Sequence, residues 1–217
     1  MGRSRVQEKI LIVEGSTEQR LIPELIESNG IRWELDDRTR IVHIEKLGGL
    51  ENLTPEFIDT QLQASGLKNL GIIIDADDQP EQRWQSIRDR CNRCKCDLPS
   101  DLPKEGLVQH LERGIRFGIW MMPDNTKQGI LETFLTYLIP DREEPIWKFA
   151  QKSATHAHES GAPFKVSHRD KANIHTWLAW QNPPGEQLHG AVQRKIFEGK
   201  HPRAQIFVRW FRDLYEL

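Results

Sequence analysis

Two apolar runs that each end in acid constrain this chain more than any other feature of it. Lys9-Ile-Leu-Ile-Val-Glu14-Gly15 and Asn69-Leu-Gly-Ile-Ile-Ile74-Asp75-Ala-Asp77 are uninterrupted hydrophobic stretches, the pattern of strands buried on both faces of a parallel sheet. After the first, Ser16-Thr-Glu-Gln gives a capping-type start to a helix whose Leu21, Ile22, Leu25 and Ile26 recur at helical spacing until Asn29-Gly30 stops it. Arg40–Glu45 reads as a second strand, Leu47-Gly-Gly49 as a turn, and Thr54–Ser65 as a helix closed by Gly66. After the Asp75-Ala-Asp77 strand comes a helix over Gln79–Asn92, with Pro80 suited to its first turn. Cys91–Lys104 then reads as a surface loop. Ile115–Met122 is a further strand ending at Pro123-Asp124-Asn125, and Gly129–Leu138 a further helix.

Strands that alternate with helices imply an α/β fold with a doubly wound, mainly parallel sheet. Right-handed crossovers would set the ends of three strands, at Glu14, Asp75 and Asp124, along the edge where open α/β sheets bind ligands. Beyond Pro140 the alternation stops. Helices are expected over 168–180 and 187–198, separated by Asn182-Pro-Pro-Gly185, and over 203–216, with Ile206, Trp210 and Leu214 on one stripe. The chain therefore divides into an α/β metal-binding domain, residues 1–140, and a helical C-terminal appendage packed on it, residues 141–217.

The length of 217 residues suits one sizeable core with an addition. No apolar run approaches the ~20 residues that span a bilayer, and Met1–Lys9 is polar, without the apolar stretch of a secretory signal. A cytoplasmic protein with no membrane association is expected. Cys91, Cys94 and Cys96, odd in number and close together, fit reduced thiols. They could offer soft ligands to zinc, but no second CxxC follows, and a fourth ligand such as His110 would have to come from across a loop. Residues 1–144 carry 19 Lys and Arg against 26 Asp and Glu, and residues 145–217 carry 11 against 6. A mildly basic segment beside an acidic cluster suits a polyanionic substrate, although a split of this size is also that of an ordinary solvated face.

The acids carry the chemistry. Glu14 ends one buried strand and Asp75 and Asp77 another, so three carboxylates meet where their repulsion disfavours full ionisation and a hard cation relieves it. Oxygen-only ligands with room for water suit Mg²⁺ or Mn²⁺ better than zinc. On an extended backbone both side chains of Asp75-Ala-Asp77 would point to one face and could share one ion. The plainer readings are that a strand-end Asp caps the next helix and that Glu14 is a first-turn carboxylate. Asp124 can reach a second ion, or it or Asn125 can cap the helix that follows. Glu132, early on that helix, can be a ligand or can complement the helix dipole. Asp78 reads as a cap or a solvated residue. Trp177, Trp180 and Trp210 are assigned to core packing from their helical spacing.

Val13-Glu14-Gly15 after the first strand, with Asp75-Ala-Asp77 after a later one, resembles the signature of the TOPRIM fold of topoisomerases, bacterial primases and OLD-type nucleases. The resemblance covers about residues 8–138. It implies Glu14 as a ligand or acid/base group and Asp75 and Asp77 as metal ligands. Met122-Pro-Asp-Asn125 with Gly129-Ile-Leu-Glu132, together with Asp170-Lys171-Ala and Pro184-Gly185, is similar to smaller stand-alone prokaryotic TOPRIM-like proteins. Several OLD-type nucleases add a lysine near the metals, and Lys171 is the candidate here; a lysine early on a helix is otherwise simply exposed. The resemblance reaches only the nuclease part of OLD proteins and not their ATPase domain, so it implies nothing about autonomous regulation.

The activity implied is metal-dependent phosphodiester hydrolysis of DNA or RNA. A topoisomerase would need a strand-breaking tyrosine on a further domain, and the only tyrosines are Tyr137 and Tyr215. A glycosyltransferase Asp-x-Asp pair would leave Glu14-Gly15 unexplained, and aspartyl-phosphate chemistry places its nucleophile on the first strand, where this chain has glutamate. The alternative is a non-catalytic TOPRIM-like module that binds metal or nucleotide and serves as partner or sensor for another protein, such as an ATPase.

Overall fold

The computed structural model describes residues 7–36 and 39–217. Residues 1–6, most of the polar start read above, lie outside the described residues. The buried runs form strands as expected. β1 (Lys9–Val13) leads directly into α1 (Ser16–Ser28), and β2 (Glu34–Asp36) and β3 (Thr39–Arg40) make a small antiparallel pair before β4 (His43–Lys46). The strand anticipated over Arg40–Glu45 is thus split: its first residue belongs to β3, and only its end joins the main sheet. α2 (Pro55–Leu62) starts under Thr54, whose hydroxyl accepts from the Phe57 N–H at 3.2 Å. β5 (Asn69–Asp75), α3 (Pro80–Arg93), β6 (Leu107–His110), β7 (Arg116–Met122) and α4 (Leu131–Thr136) follow.

The five-stranded sheet runs in the order β4-β1-β5-β7-β6, parallel throughout except for β6, which pairs antiparallel with β7 at the edge. β6 was not anticipated, because Gln109 and His110 dilute its four-residue apolar pattern and tertiary pairing decides such short segments. Side chains alternate across the sheet. Leu11, Val13, Ile73, Trp120 and Met122 enter a core shared with α1, α4 and the C-terminal helices, while Ile10, Ile12, Ile72, Ile74 and Met121 enter a second core under α2 and α3.

Beyond Pro140 four helices follow: α5 (Glu144–Glu159), α6 (Arg169–Leu178), α7 (Leu188–Gln193) and α8 (Gln205–Tyr215). α5 falls where the sequence pattern predicts no helix, because its stretch holds few large apolar residues and its buried residues are the small Ala150 and Ala154. α8 lies on the sheet with Phe207, Val208, Trp210, Phe211, Leu214 and Tyr215 buried, whereas Ile206, expected on that stripe, is 38% exposed. Its seat depends on two glycines paired across β5 and β7, Gly71 and Gly118. A Cβ on Gly71 would stand 2.5 Å from the Tyr215 hydroxyl oxygen, and one on Gly118 would stand 2.8 Å from a Leu214 methyl. Tyr215 is held there by donating to the Ile10 carbonyl at 2.7 Å. Gly118→Ala should therefore destabilise the protein by about 1–3 kcal/mol through overpacking, measured as a lowered denaturant midpoint; an unchanged midpoint would mean that α8 can shift without loss. Among the described residues no helix is long and apolar enough to cross a membrane.

Candidate metal centre

Strand order builds the site. β1 and β5 are neighbours with Val13 opposite Ile73, so Glu14 emerges beside the end of β5, and its Oε2 accepts from the Asp75 N–H at 3.3 Å. α1 begins at once, with Gly15 as its N-cap. Glu18, in the first turn, reaches back so that Oε2 accepts from the Gly15 N–H at 3.1 Å, which fixes a buried carboxyl, 7% exposed, behind Glu14. Glu132, 4% exposed, enters from the first turn of α4.

These groups act on one another strongly. Burial pushes the Asp75 carboxyl well above the ordinary aspartate range, and the charges of Glu18, Glu14, Glu132 and Asp77 push it the same way. Burial also raises Glu14, with the hydrogen bond from Asp75 and the nearby Arg83 opposing it and Asp77 adding to it. Glu18 is raised by burial and by Glu14 and Glu132. Two cations offset the negative charge. Arg83 of α3 is paired with the Asp77 carboxylate, and Lys171 of α6 stands with Nζ 3.0 Å from Glu132 Oε1.

Asp77 does not follow the extended-strand geometry expected of it. Its φ is +54°, in the left-handed region, so the two-residue alternation ends at Ala76 and the side chain turns to Arg83. What turns the backbone is an isolated bridge to Gly129. The Asp77 N–H donates to the Gly129 carbonyl at 2.9 Å and the Gly129 N–H donates back at 2.8 Å. Gly129 has φ +140°, and a Cβ there would lie 2.6 Å from Thr133 Oγ1, so a glycine is required where this loop meets α4.

Asp124 serves its own turn. Oδ1 accepts from Thr126 N at 3.2 Å, Thr126 Oγ1 at 2.8 Å and Lys127 N at 2.9 Å, while Oδ2 accepts from Tyr137 Oη at 2.8 Å and faces Lys127 Nζ at 3.2 Å. Burial would raise this carboxyl, but those bonds outweigh it and hold it below the usual range. Asp78 is exposed. Of the tryptophans assigned to the core, Trp177 and Trp210 are buried, but Trp180 is 44% exposed. The cysteines lie elsewhere, at the end of α3: Cys94 Sγ donates to the Pro55 carbonyl at 3.0 Å, and His110 contacts Arg116 instead. As the side chains stand, no three His, Cys, Asp or Glu groups among the described residues converge on a point fit for a metal ion.

The donor set nevertheless has the chemistry of a hard-cation site. It consists of carboxylate oxygens, part of it desolvated and crowded by like charge, with Arg83 and Lys171 occupying two of the acids. Beside it is a shallow depression of about 350 Å³ lined by Ala76, Asp77, Asp78, Gln82 and Arg83.

Residues 8–216 match the family described as protein of unknown function (DUF3226). The chain belongs to that family. No curated protein matches the sequence. Among solved structures, the C-terminal region of the Burkholderia pseudomallei OLD protein is similar over 96% of this chain and 98% of that one, at 14% identity and a TM-score of 0.47. The C-terminal region of the Xanthomonas campestris pv. campestris OLD protein is similar over 97% and 93%, at 14% identity and a TM-score of 0.41.

Two residues of the centre in this DUF3226 chain escape a reading of the sequence. The capping-type start read at Ser16-Thr-Glu-Gln gives Glu18 no special place, but the helix begins with Gly15 as N-cap, so Glu18 is the residue that reaches back to it, with a buried carboxyl that feels the charge of Glu14. Arg83 sits in a polar helix with no mark to separate it from Arg88 and Arg90. Its place on α3 sets it near Glu14, and the turn at Asp77 brings that carboxylate to it.

Proposed function

We propose that this chain is a metal-dependent phosphodiesterase acting on nucleic acid through a TOPRIM-type site. Glu14, Glu18, Asp75, Asp77 and Glu132 would hold Mg²⁺ or Mn²⁺; Asp124, whose oxygens are already engaged, is left out of that set. The observation that carries this reading is the gathering of acids at one edge of the sheet, with Glu14 accepting from the Asp75 N–H at the ends of β1 and β5 and the buried Glu18 and Glu132 entering from the first turns of α1 and α4, so that burial and its acidic neighbours push the Asp75 carboxyl up. An acid kept in such company lowers stability, and sites that do so are enriched in function. When bound, the cation supplies an activated water and stabilises charge on the leaving oxygen.

The side chains have separable tasks. Glu14, whose own affinity for a proton is raised and which accepts from the Asp75 N–H, is placed as ligand or as proton acceptor. Lys171, 51% exposed and tethered to Glu132, offers an ammonium to a substrate phosphate from the solvent side. No serine, cysteine or tyrosine nucleophile is needed.

The second reading, a non-catalytic partner module, draws support from the two ion pairs. Arg83–Asp77 and Lys171–Glu132 neutralise two acids without any metal. Purified protein incubated with linear, circular and single-stranded DNA and with RNA, under Mg²⁺ or Mn²⁺, separates the two readings. Cleavage that needs the cation and is lost in Glu14→Gln is expected. Metal binding with no nucleic acid cut under either cation would favour the partner module.

A further inference from the structure

The surface beyond the acids carries an aromatic pair that packing does not account for. Phe149 of α5 and Trp180, just past the end of α6, stack with ring centroids 5.2 Å apart and planes 29° apart. Phe149 is 58% exposed and Trp180 44% exposed, and Ile146 beside them is 43% exposed. Of the seven tryptophans, Trp180 alone falls in the exposed class. Two large rings stacked on each other yet open to water leave π-faces and edges available to a third planar group.

The charges around the pair say which group. Phe149, Lys152 and His156 follow the i, i+3, i+7 spacing and share one face of α5. Next to them runs a shallow groove of about 310 Å³ lined by Lys148, Gln151, Lys152, Thr155, His156 and Glu159. Lys148 is paired with Glu144 at 2.7 Å, and Glu159 is the one acid lining the groove. From the start of α5 to Trp180, residues 144–180 carry five Lys and Arg against three Asp and Glu, with four histidines in addition. Aromatic faces interleaved with cations are the means by which proteins hold unpaired bases and their phosphates, because every base has a π-face and every linkage a negative charge. A purely apolar partner surface would make no use of Lys152 and His156.

We propose that Phe149 and Trp180 form a base-stacking platform for a single-stranded segment of nucleic acid. This rests on the phosphodiesterase reading above and names the form of substrate that it takes. α6 links the two places. Its first turn holds Lys171 against Glu132, and Trp180 follows nine residues later, about 14 Å along a helix axis at 1.5 Å per residue. At about 3.4 Å per stacked nucleotide that is on the order of four nucleotides between an anchored base and the acids. A duplex offers the platform no free base face, so the platform discriminates for single strands or frayed ends.

The test is binding, in chelator so that cleavage cannot interfere, of a fluorescent single-stranded oligonucleotide and of its duplex. Phe149→Ala and Trp180→Ala should each weaken the single strand about tenfold, in the range that loss of one stacked base gives, and leave duplex affinity within about twofold. Trp180→Phe should keep most of the affinity, and tryptophan fluorescence should be quenched in the wild type but much less in Trp180→Phe. Both alanine variants replace exposed rings, and an unchanged melting temperature will show that they are folded. Equal single-strand affinity in wild type and both alanine variants would overturn the platform even if the protein still cuts nucleic acid. So would a change of oligomeric state in the alanine variants, which would make the patch a contact between copies. Loss of cleavage in Glu14→Gln is read in a separate assay, so the platform and the phosphodiesterase reading fail independently.

Discussion

Asp75→Asn should raise the melting temperature of the metal-free protein at neutral pH, the reverse of what substitution at a strand end beside the core ordinarily does. Burial and four neighbouring acids push the Asp75 carboxyl up, so the folded state holds its proton more tightly than the unfolded chain does. The folded protein then binds more protons than the unfolded one from the ordinary aspartate range up to the raised value. Stability falls as pH rises through that window, and the loss is complete above it. Glu14 and Glu18 act in the same direction; Asp124, held low, acts in the opposite one, its contribution being lost as pH falls. Asparagine keeps the size of Asp75 and removes the charge, a gain on the order of 1–2 kcal/mol for an uncompensated carboxylate, at about 2–4 °C per kcal/mol for a chain of this length. Millimolar Mn²⁺ or Mg²⁺ should stabilise the wild type, because a ligand of the folded state alone shifts the equilibrium by mass action, and should stabilise Asp75→Asn far less. Calorimetry with and without chelator reads both effects. A variant that melts lower than wild type in chelator, or the same metal response in both proteins, would remove Asp75 from the centre.

Much of this arrangement is legible in the sequence, and the limits of the reading have physical causes. Strands buried on both faces announce themselves here, since Ile-Leu-Ile-Val and Gly-Ile-Ile-Ile are short runs rich in β-branched residues between polar segments, and the acids at their ends follow from where such strands stop. Parallel order then sets Glu14 beside Asp75. What period and propensity do not contain are departures from regular backbone and contacts between distant segments. Asp77 reads as the next extended residue, yet the bridge to Gly129, far along the chain, turns it left-handed and hands its carboxylate to Arg83. Trp180 shares helical spacing with Trp177, but the helix ends at Leu178, so its ring leaves the buried face and meets Phe149 on a helix that the sequence did not announce. Lys171 could be singled out only by resemblance; its proximity to Glu132 is a property of how α6 lies against α4.

Cleavage should require a divalent cation and should fall about 10³-fold or more in Asp77→Asn, since the cation's contribution to such a reaction is several kcal/mol at about 1.4 kcal/mol per tenfold. Asparagine is preferred to alanine at this position because φ is +54°, a conformation that asparagine tolerates and alanine does not. The loss then reports charge rather than strain. The substitution also releases Arg83, which is left beside Glu14 as a competing internal cation, so metal affinity should fall together with rate. Lys171→Ala should be folded and slower by about 100-fold, the scale on which removal of one charge-stabilising donor acts, with metal affinity little changed or improved because Glu132 loses its partner. Single-turnover cleavage of a labelled oligonucleotide, set beside a metal titration, distinguishes these outcomes. If Lys171→Ala cuts at the wild-type rate, the lysine is only the counter-ion of Glu132. If Asp77→Asn binds metal and cuts as well as wild type, the turn at Asp77 exists for the fold and the centre lies with Glu14, Glu18, Asp75 and Glu132 alone.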